Sequence, residues 1–248
     1  MALEVKAMSD EYYIKESEDK STQLEVRVRL AEIAKSLAKK HREKLNELKG
    51  ASRDLDRPDW LWHSLLASAS TQGNSRGYKG LIENAENYNK VTFDTLTKLS
   101  KQNRDSTLRG TLTDAKVRMA YIKAGRLSEN FDRISKMGGP PVAKQNLLSL
   151  NGRDAKIEFL ESFAGIGWKY SRNMMMDVYH PDFRESIAVD ARIKSVSKRL
   201  GVSFKNSREH EQFYLGVAHD AGIEGWELDR LIYWFKVDFL NAMSSPSE

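Results

Sequence analysis

An all-α fold is predicted for this 248-residue chain by three observations. Apolar residues recur at three- and four-residue steps in segment after segment, no stretch sustains the two-residue alternation of a half-buried strand, and glycine, proline or small polar clusters separate the segments. With 40% apolar residues over this length, the chain can bury a substantial core, as one large or two smaller interlocked units.

Residues 1 to 20 mix Asp, Glu, Lys and Ser without periodicity and read as a flexible tail. From Ser21 a long helix is expected, with Leu30, Ile33, Leu37, His41, Leu45 and Leu48 on one face, basic residues opposite, and Gly50 as its stop. Asp56-Arg57-Pro58-Asp59 starts the next helix, whose buried stripe is Trp60, Leu61, Leu65, Leu66 and Ala69. It runs out in a loop from Ser70 to Gly77 whose two glycines allow close backbone approach to a ligand, and Gln72 stands in that loop.

Short helices are expected over 78–87, 92–99, 112–124 and 127–137, with a polar break at Asn103 to Asp105 and a firm one at Gly138-Gly139-Pro140-Pro141. A helix over 154–163 leads into Phe163-Ala164-Gly165-Ile166-Gly167-Trp168-Lys169, and another follows over 168–178. Its three adjacent methionines, Met174 to Met176, read as core filling. After the break at His180-Pro181-Asp182, helices are expected from Asp190 to Gly201, over 208–221 and over 226–243.

Composition excludes several chemistries. The chain has no cysteine, so disulfides, thiolate metal sites, iron–sulfur clusters and cysteine nucleophiles are ruled out, and no cofactor or metal is expected. No apolar run approaches a membrane span and no signal-peptide core is visible, so an intracellular location without membrane association is expected. Lys and Arg number 40 against 35 acids, a modest excess that leans toward a polyanionic partner.

The chemistry concentrates at the turn. Gly165-Ile166-Gly167 lets two helices fold back through a tight hairpin, which exposes backbone N–H groups suited to a phosphate and reading no base. Lys169 falls in the first turn of the second helix, where the positive end of the dipole disfavours an ammonium and favours a nucleophilic amine. Asp190, 21 positions later, follows the apolar triplet Ile187-Ala188-Val189 and opens a helix, a placement that N-capping alone can explain. A surface lysine and a capping aspartate are the plain alternatives to a shared active site.

The two segments, Phe163 to Lys169 and Ile187 to Ile193, resemble the helix-hairpin-helix superfamily of DNA glycosylases, in which a Leu-Pro-Gly-Val-Gly-x-Lys-like hairpin precedes an apolar-Val-Asp helix start. Weaker similarity extends to Leu65–Ser75 and to Thr113–Leu127, with Lys116 and Ala120. The resemblance implies two helical lobes with a cleft between them: residues 21–57 with 182–243 in one, and a helical barrel carrying the hairpin over 58–181 in the other. It implies Lys169 and Asp190 as catalytic residues, and Gly165, Ile166, Gly167, Gln72, Arg192 and Lys194 as DNA contacts, with Gln72 filling the gap left by a flipped nucleotide. Three departures stand out: Ala164 replaces the usual proline, Arg192 stands where a histidine is common, and no cluster-binding cysteines exist.

The last departure favours the 8-oxoguanine branch. The resemblance therefore implies a monomeric base-excision-repair enzyme that acts on double-stranded DNA containing a damaged base, with glycosylase and AP lyase activities. Oxidised-pyrimidine or mismatch glycosylases and a non-catalytic DNA-gripping module are the alternatives. Trp60, Trp62, Trp168, Trp226 and Trp234 are candidates to stack on an extruded base, most of them expected in the core, and His63 is expected to pack within its helix.

Overall fold

In a computed structural model of the protein, residues 23–71 and 76–244 are described, with residues 51–53 given by backbone alone. The expected N-terminal tail and Gln72 lie outside the described residues. Every regular element among those described is helical, so the chain is all-α. Two compact units divide it, one running from Gly50 to Phe183 and the other combining the segment that ends at Lys49 with the segment that begins at Arg184.

The Gly50–Phe183 unit opens with a 3₁₀ stretch, Gly50–Asp56. Residues 50–57 were expected with the chain-end unit, but Lys144 Nζ donates to the Leu55 and Arg57 carbonyls at 2.6 and 2.9 Å and ties this stretch to the helix Pro140–Ser149. Then come α3 (Trp60–Thr71), α4 (Arg76–Leu81), α5 (Ala85–Lys90), α6 (Phe93–Thr97), α7 (Lys101–Asp114), α8 (Ala120–Lys136), α9 (Pro140–Ser149), α10 (Gly152–Glu161) and α11 (Trp168–Asp177). The hydrophobic centre is aromatic. Trp62 meets Phe93 and Phe131 edge-on at 5.8 Å, those two rings stack at 4.3 Å, and the Trp62 indole N–H donates to the Val91 carbonyl at 2.8 Å.

Three expectations in this unit need correction. Asn103 to Asp105 is no break: Ser100 caps α7 by accepting from the Asn103 amide at 3.3 Å, and the helix runs on to Asp114 with Arg104 buried over the Phe131 ring. The helix expected over 112–124 is interrupted, because Lys116 and Met119 take left-handed backbone angles, each with φ of 58°, and α8 starts only at Ala120. The 78–87 segment splits at Asn84, whose side chain caps α5. Gly77 serves packing, since a Cβ there would lie 2.5 Å from the Ser70 carbonyl oxygen.

Of the buried stripe expected on α3, Leu61, Leu65 and Leu66 are buried and Ala69 is half-buried. Trp60, Trp62 and Met174 to Met176 are buried, and His63 pairs through Nδ1 with the Tyr88 hydroxyl at 2.9 Å while burial lowers its pKa. No helix of the described residues is long and apolar enough to cross a membrane.

The second unit contains α1 (residues 23–40), α2 (Arg42–Lys49), α12 (Ala191–Arg199), α13 (Ser207–Ala221), α14 (Gly225–Trp234) and α15 (Lys236–Ser244). Arg27 clamps Asp220 with two bonds of 2.7 and 2.8 Å, and buried Glu227 receives Lys49 at 3.0 Å and Arg42 at 3.2 Å. The helix expected over 226–243 breaks at Phe235, whose ring stacks on His41 at 3.6 Å while His41 Nε2 meets Asp238 at 2.9 Å. Beneath α12, Ser197 Oγ joins His210 Nε2 at 2.7 Å and the Tyr214 hydroxyl at 2.9 Å. Burial lowers the His210 pKa to about 4 and raises that of Tyr214 to about 12, so both stay neutral in this polar knot.

Candidate functional site

The hairpin connects α10 to α11 through a turn that only glycine adopts at low cost. Gly165 has φ of +85°, and a Cβ there would come within 3.0 Å of the Arg126 side chain. The Ile166 amide is spent inside the turn on the Phe163 carbonyl at 3.1 Å, and the Ile166 side chain is buried. Ile166 therefore fixes the turn and offers no donor. Gly165 and Gly167 are exposed, and their N–H groups have no hydrogen-bond partner among the described residues. Gly167 is also the N-cap of α11 without any capping side chain. Two amides without a partner among the described residues thus lie at or just before the positive end of a ten-residue helix, an arrangement that favours an oxyanion.

The turn is held from below by Asn130 on α8. Its Nδ2 donates to the Ala164 carbonyl at 3.0 Å and its Oδ1 accepts from the Ala164 N–H at 2.7 Å. A proline at this position would have no N–H to offer. With Ala164, the chain replaces the rigidity of a proline ring by a two-way side-chain clamp, and the clamp is 2% exposed. Asn130 was not singled out from sequence, although a lone amide on the buried stripe Leu127, Phe131 and Ile134 was a readable signal. Asn130→Ala is expected to lower stability by about 1–3 kcal/mol through two unpaired backbone groups. Urea unfolding checks this as a lower midpoint with unchanged slope, and duplex binding is expected to weaken in parallel.

Lys169 is the second residue of α11, half-buried, with Nζ 4.8 Å from the Tyr170 ring centre. No carboxylate pairs with it among the described residues. Ser171 Oγ donates to Glu161 Oε1 at 3.1 Å and joins the first turn of α11 to the end of α10. Trp168 is half-buried, its ring covered by the Arg172 guanidinium at 3.3 Å.

Asp190 belongs to the other unit and is the N-cap of α12. Its Oδ1 accepts from the Arg192 N–H at 2.7 Å and the Ile193 N–H at 3.1 Å, and its Oδ2 receives the Arg192 guanidinium at 3.0 Å. The approach to it is rigid. Ile187, Ala188 and Val189 are buried, with the Ile187 amide donating to Glu211 at 3.2 Å and the Ala188 amide to Asp229 at 2.9 Å. Two buried carboxylates thus fix an irregular segment by its backbone amides, a role that sequence reading did not assign to either acid.

Arg192 also covers the Tyr233 ring at 4.0 Å, so its guanidinium is largely committed to Asp190 and Tyr233. Lys194 and Lys198, four residues apart, are exposed on α12 and can face a phosphate backbone. Of the tryptophans named as stacking candidates, Trp226 is core and Trp234 is exposed beside Tyr233. Among the described residues no cluster of His, Cys, Asp or Glu could hold a metal ion.

No protein-family model matches the chain. No curated protein sequence matches it either. Among solved structures, it is similar to the 8-oxoguanine DNA glycosylase of Thermotoga maritima, with a TM-score of 0.60 at 16% identity over 83% of this chain and 96% of that one. The hairpin, the all-α build and this likeness together show that the chain has the fold of that DNA glycosylase.

Proposed function

We propose that the chain is a base-excision-repair DNA glycosylase with AP lyase activity, acting on a damaged, flipped-out base in double-stranded DNA. The observation that carries the reading is the hairpin: two unpartnered glycine amides at the start of α11 followed, two residues after Gly167, by a lysine amine without a carboxylate partner. The fold shared with the Thermotoga 8-oxoguanine DNA glycosylase supports the same reading and makes 8-oxoguanine the favoured base.

A base within a duplex cannot be reached, so the nucleotide is rotated out of the stack first. The Lys169 amine then attacks C1′ of the sugar, and the glycosidic bond breaks with its electron pair leaving on the base, which takes up a proton. The Asp190 carboxylate stabilises the positive charge that develops on the sugar. Loss of a proton from nitrogen and opening of the sugar ring give an iminium linked to Lys169. Its electron demand acidifies a C2′ proton; removal of that proton expels the 3′ phosphate with the C3′–O bond pair, and water releases the lysine. Gly165 and Gly167 amides, with Lys194 and Lys198, hold backbone phosphates, and Gln72 fills the vacated stack.

The test is borohydride trapping on duplexes bearing 8-oxoguanine, thymine glycol, uracil or an abasic site. A covalent protein–DNA adduct with 8-oxoguanine and with the abasic site is expected. Adduct only with thymine glycol or uracil would reassign the substrate. Duplex binding without base release from any lesion would leave the non-catalytic module.

A further inference from the structure

Among the described residues, one buried lysine has no polar partner. Lys123, on α8, is 3% exposed, and its Nζ is fully enclosed without a hydrogen bond. A buried ammonium normally has a counter-charge, as Lys156 does with Asp182 at 2.7 Å. Lys123 instead lines a small concavity, open to solvent, with Ser68, Arg126, Asn130, Ala164 and Gly165, and no carboxylate of the described residues lines it. Arg126 and Gly165 are exposed and form its open side. Asn130 already spends both its amide atoms on Ala164. Burial, and after it the nearby Arg118 and Arg126 charges, lower the Lys123 pKa.

We propose that Lys123, with Arg126 at the mouth, forms an oxyanion site on the α8 side of the hairpin that takes an oxygen of a phosphate group. The phosphate belongs either to the DNA backbone or to a free phosphate ion, since both present the same oxygens to the amine. A bound oxygen resolves the unpaired ammonium, and it would lie against the same Gly165 turn whose outer amides are free. The backbone source deepens the DNA-binding part of the function proposed above. Its test reads binding to undamaged duplex rather than base release, so failure of one leaves the other standing.

Lys123→Met keeps the unbranched stem and removes the charge; replacing an unpaired buried cation by an apolar chain is expected to leave folding intact or improve it. Two measurements on the full chain decide the matter. The first is the salt dependence of binding to an undamaged duplex. Loss of one phosphate contact is expected to reduce the slope of log K against log salt by about 0.9 and to weaken binding equally for unrelated sequences. The second is the melting temperature in phosphate against chloride at equal ionic strength, for wild type and variant. Phosphate raising only the wild-type value, with duplex slopes equal, assigns the site to the free ion. The proposal is overturned if the duplex slopes coincide and phosphate does not stabilise wild type over the variant. Should the variant fail to fold, absence of stabilisation of wild type by phosphate, together with duplex binding that phosphate does not displace, overturns it as well.

Discussion

Lys169→Gln is expected to abolish the borohydride-trapped adduct and to lower both base release and strand scission by about 10³-fold or more, roughly 4 kcal/mol of barrier. Glutamine keeps the length of the stem but lacks a nucleophilic lone pair, so no iminium can form. The substitution is structurally mild. Lys169 makes no ion pair among the described residues, and its contact with the Tyr170 ring at 4.8 Å contributes at most about 1 kcal/mol. Duplex affinity is therefore expected to change little, because the Gly165 and Gly167 amides that grip phosphate are backbone groups the substitution does not touch. Single-turnover assays separate the steps. Base release at the wild-type rate with scission lost would mean that water, not Lys169, displaces the base, and would make the enzyme a glycosylase with an incidental lysine.

The parts of this site that were legible in the sequence share one property: their chemistry is local. A left-handed residue between two helices favours glycine, and Gly165 with φ of +85° is such a residue. A carboxylate two and three residues ahead of its target amides is a cap wherever it occurs, and Asp190 is one. What sequence missed depends on distant partners. The break between α7 and α8 places two non-glycine residues, Lys116 and Met119, at positive φ, which local preference disfavours and only packing imposes. The break at Phe235 follows from a ring that stacks on His41 nearly 200 residues earlier in the chain. Asn130, Glu211 and Asp229 look like ordinary polar residues until the backbone amides they serve, 34, 24 and 41 positions away, are brought to them. Lys123 was invisible for the same reason, since the absence of a partner can be recognised only after burial is known.

Asp190→Asn separates the two duties that sequence alone could not distinguish. As an N-cap, asparagine ranks with aspartate, and its Oδ1 can accept from the same Arg192 and Ile193 amides that now lie 2.7 and 3.1 Å away. What disappears is the charge and the partly exposed pairing with Arg192 at 3.0 Å, together about 1 kcal/mol of stability. Base release is expected to fall far more, by about 10³-fold, because a neutral amide cannot balance the positive charge that builds on the sugar as the glycosidic bond opens. Asp190→Ala supplies the contrast. It loses the charge and the cap together, so it is expected to match the asparagine variant in turnover while losing about 1 kcal/mol more in urea unfolding. If the asparagine variant instead releases base at the wild-type rate, the carboxylate serves α12 alone and its chemical role is removed.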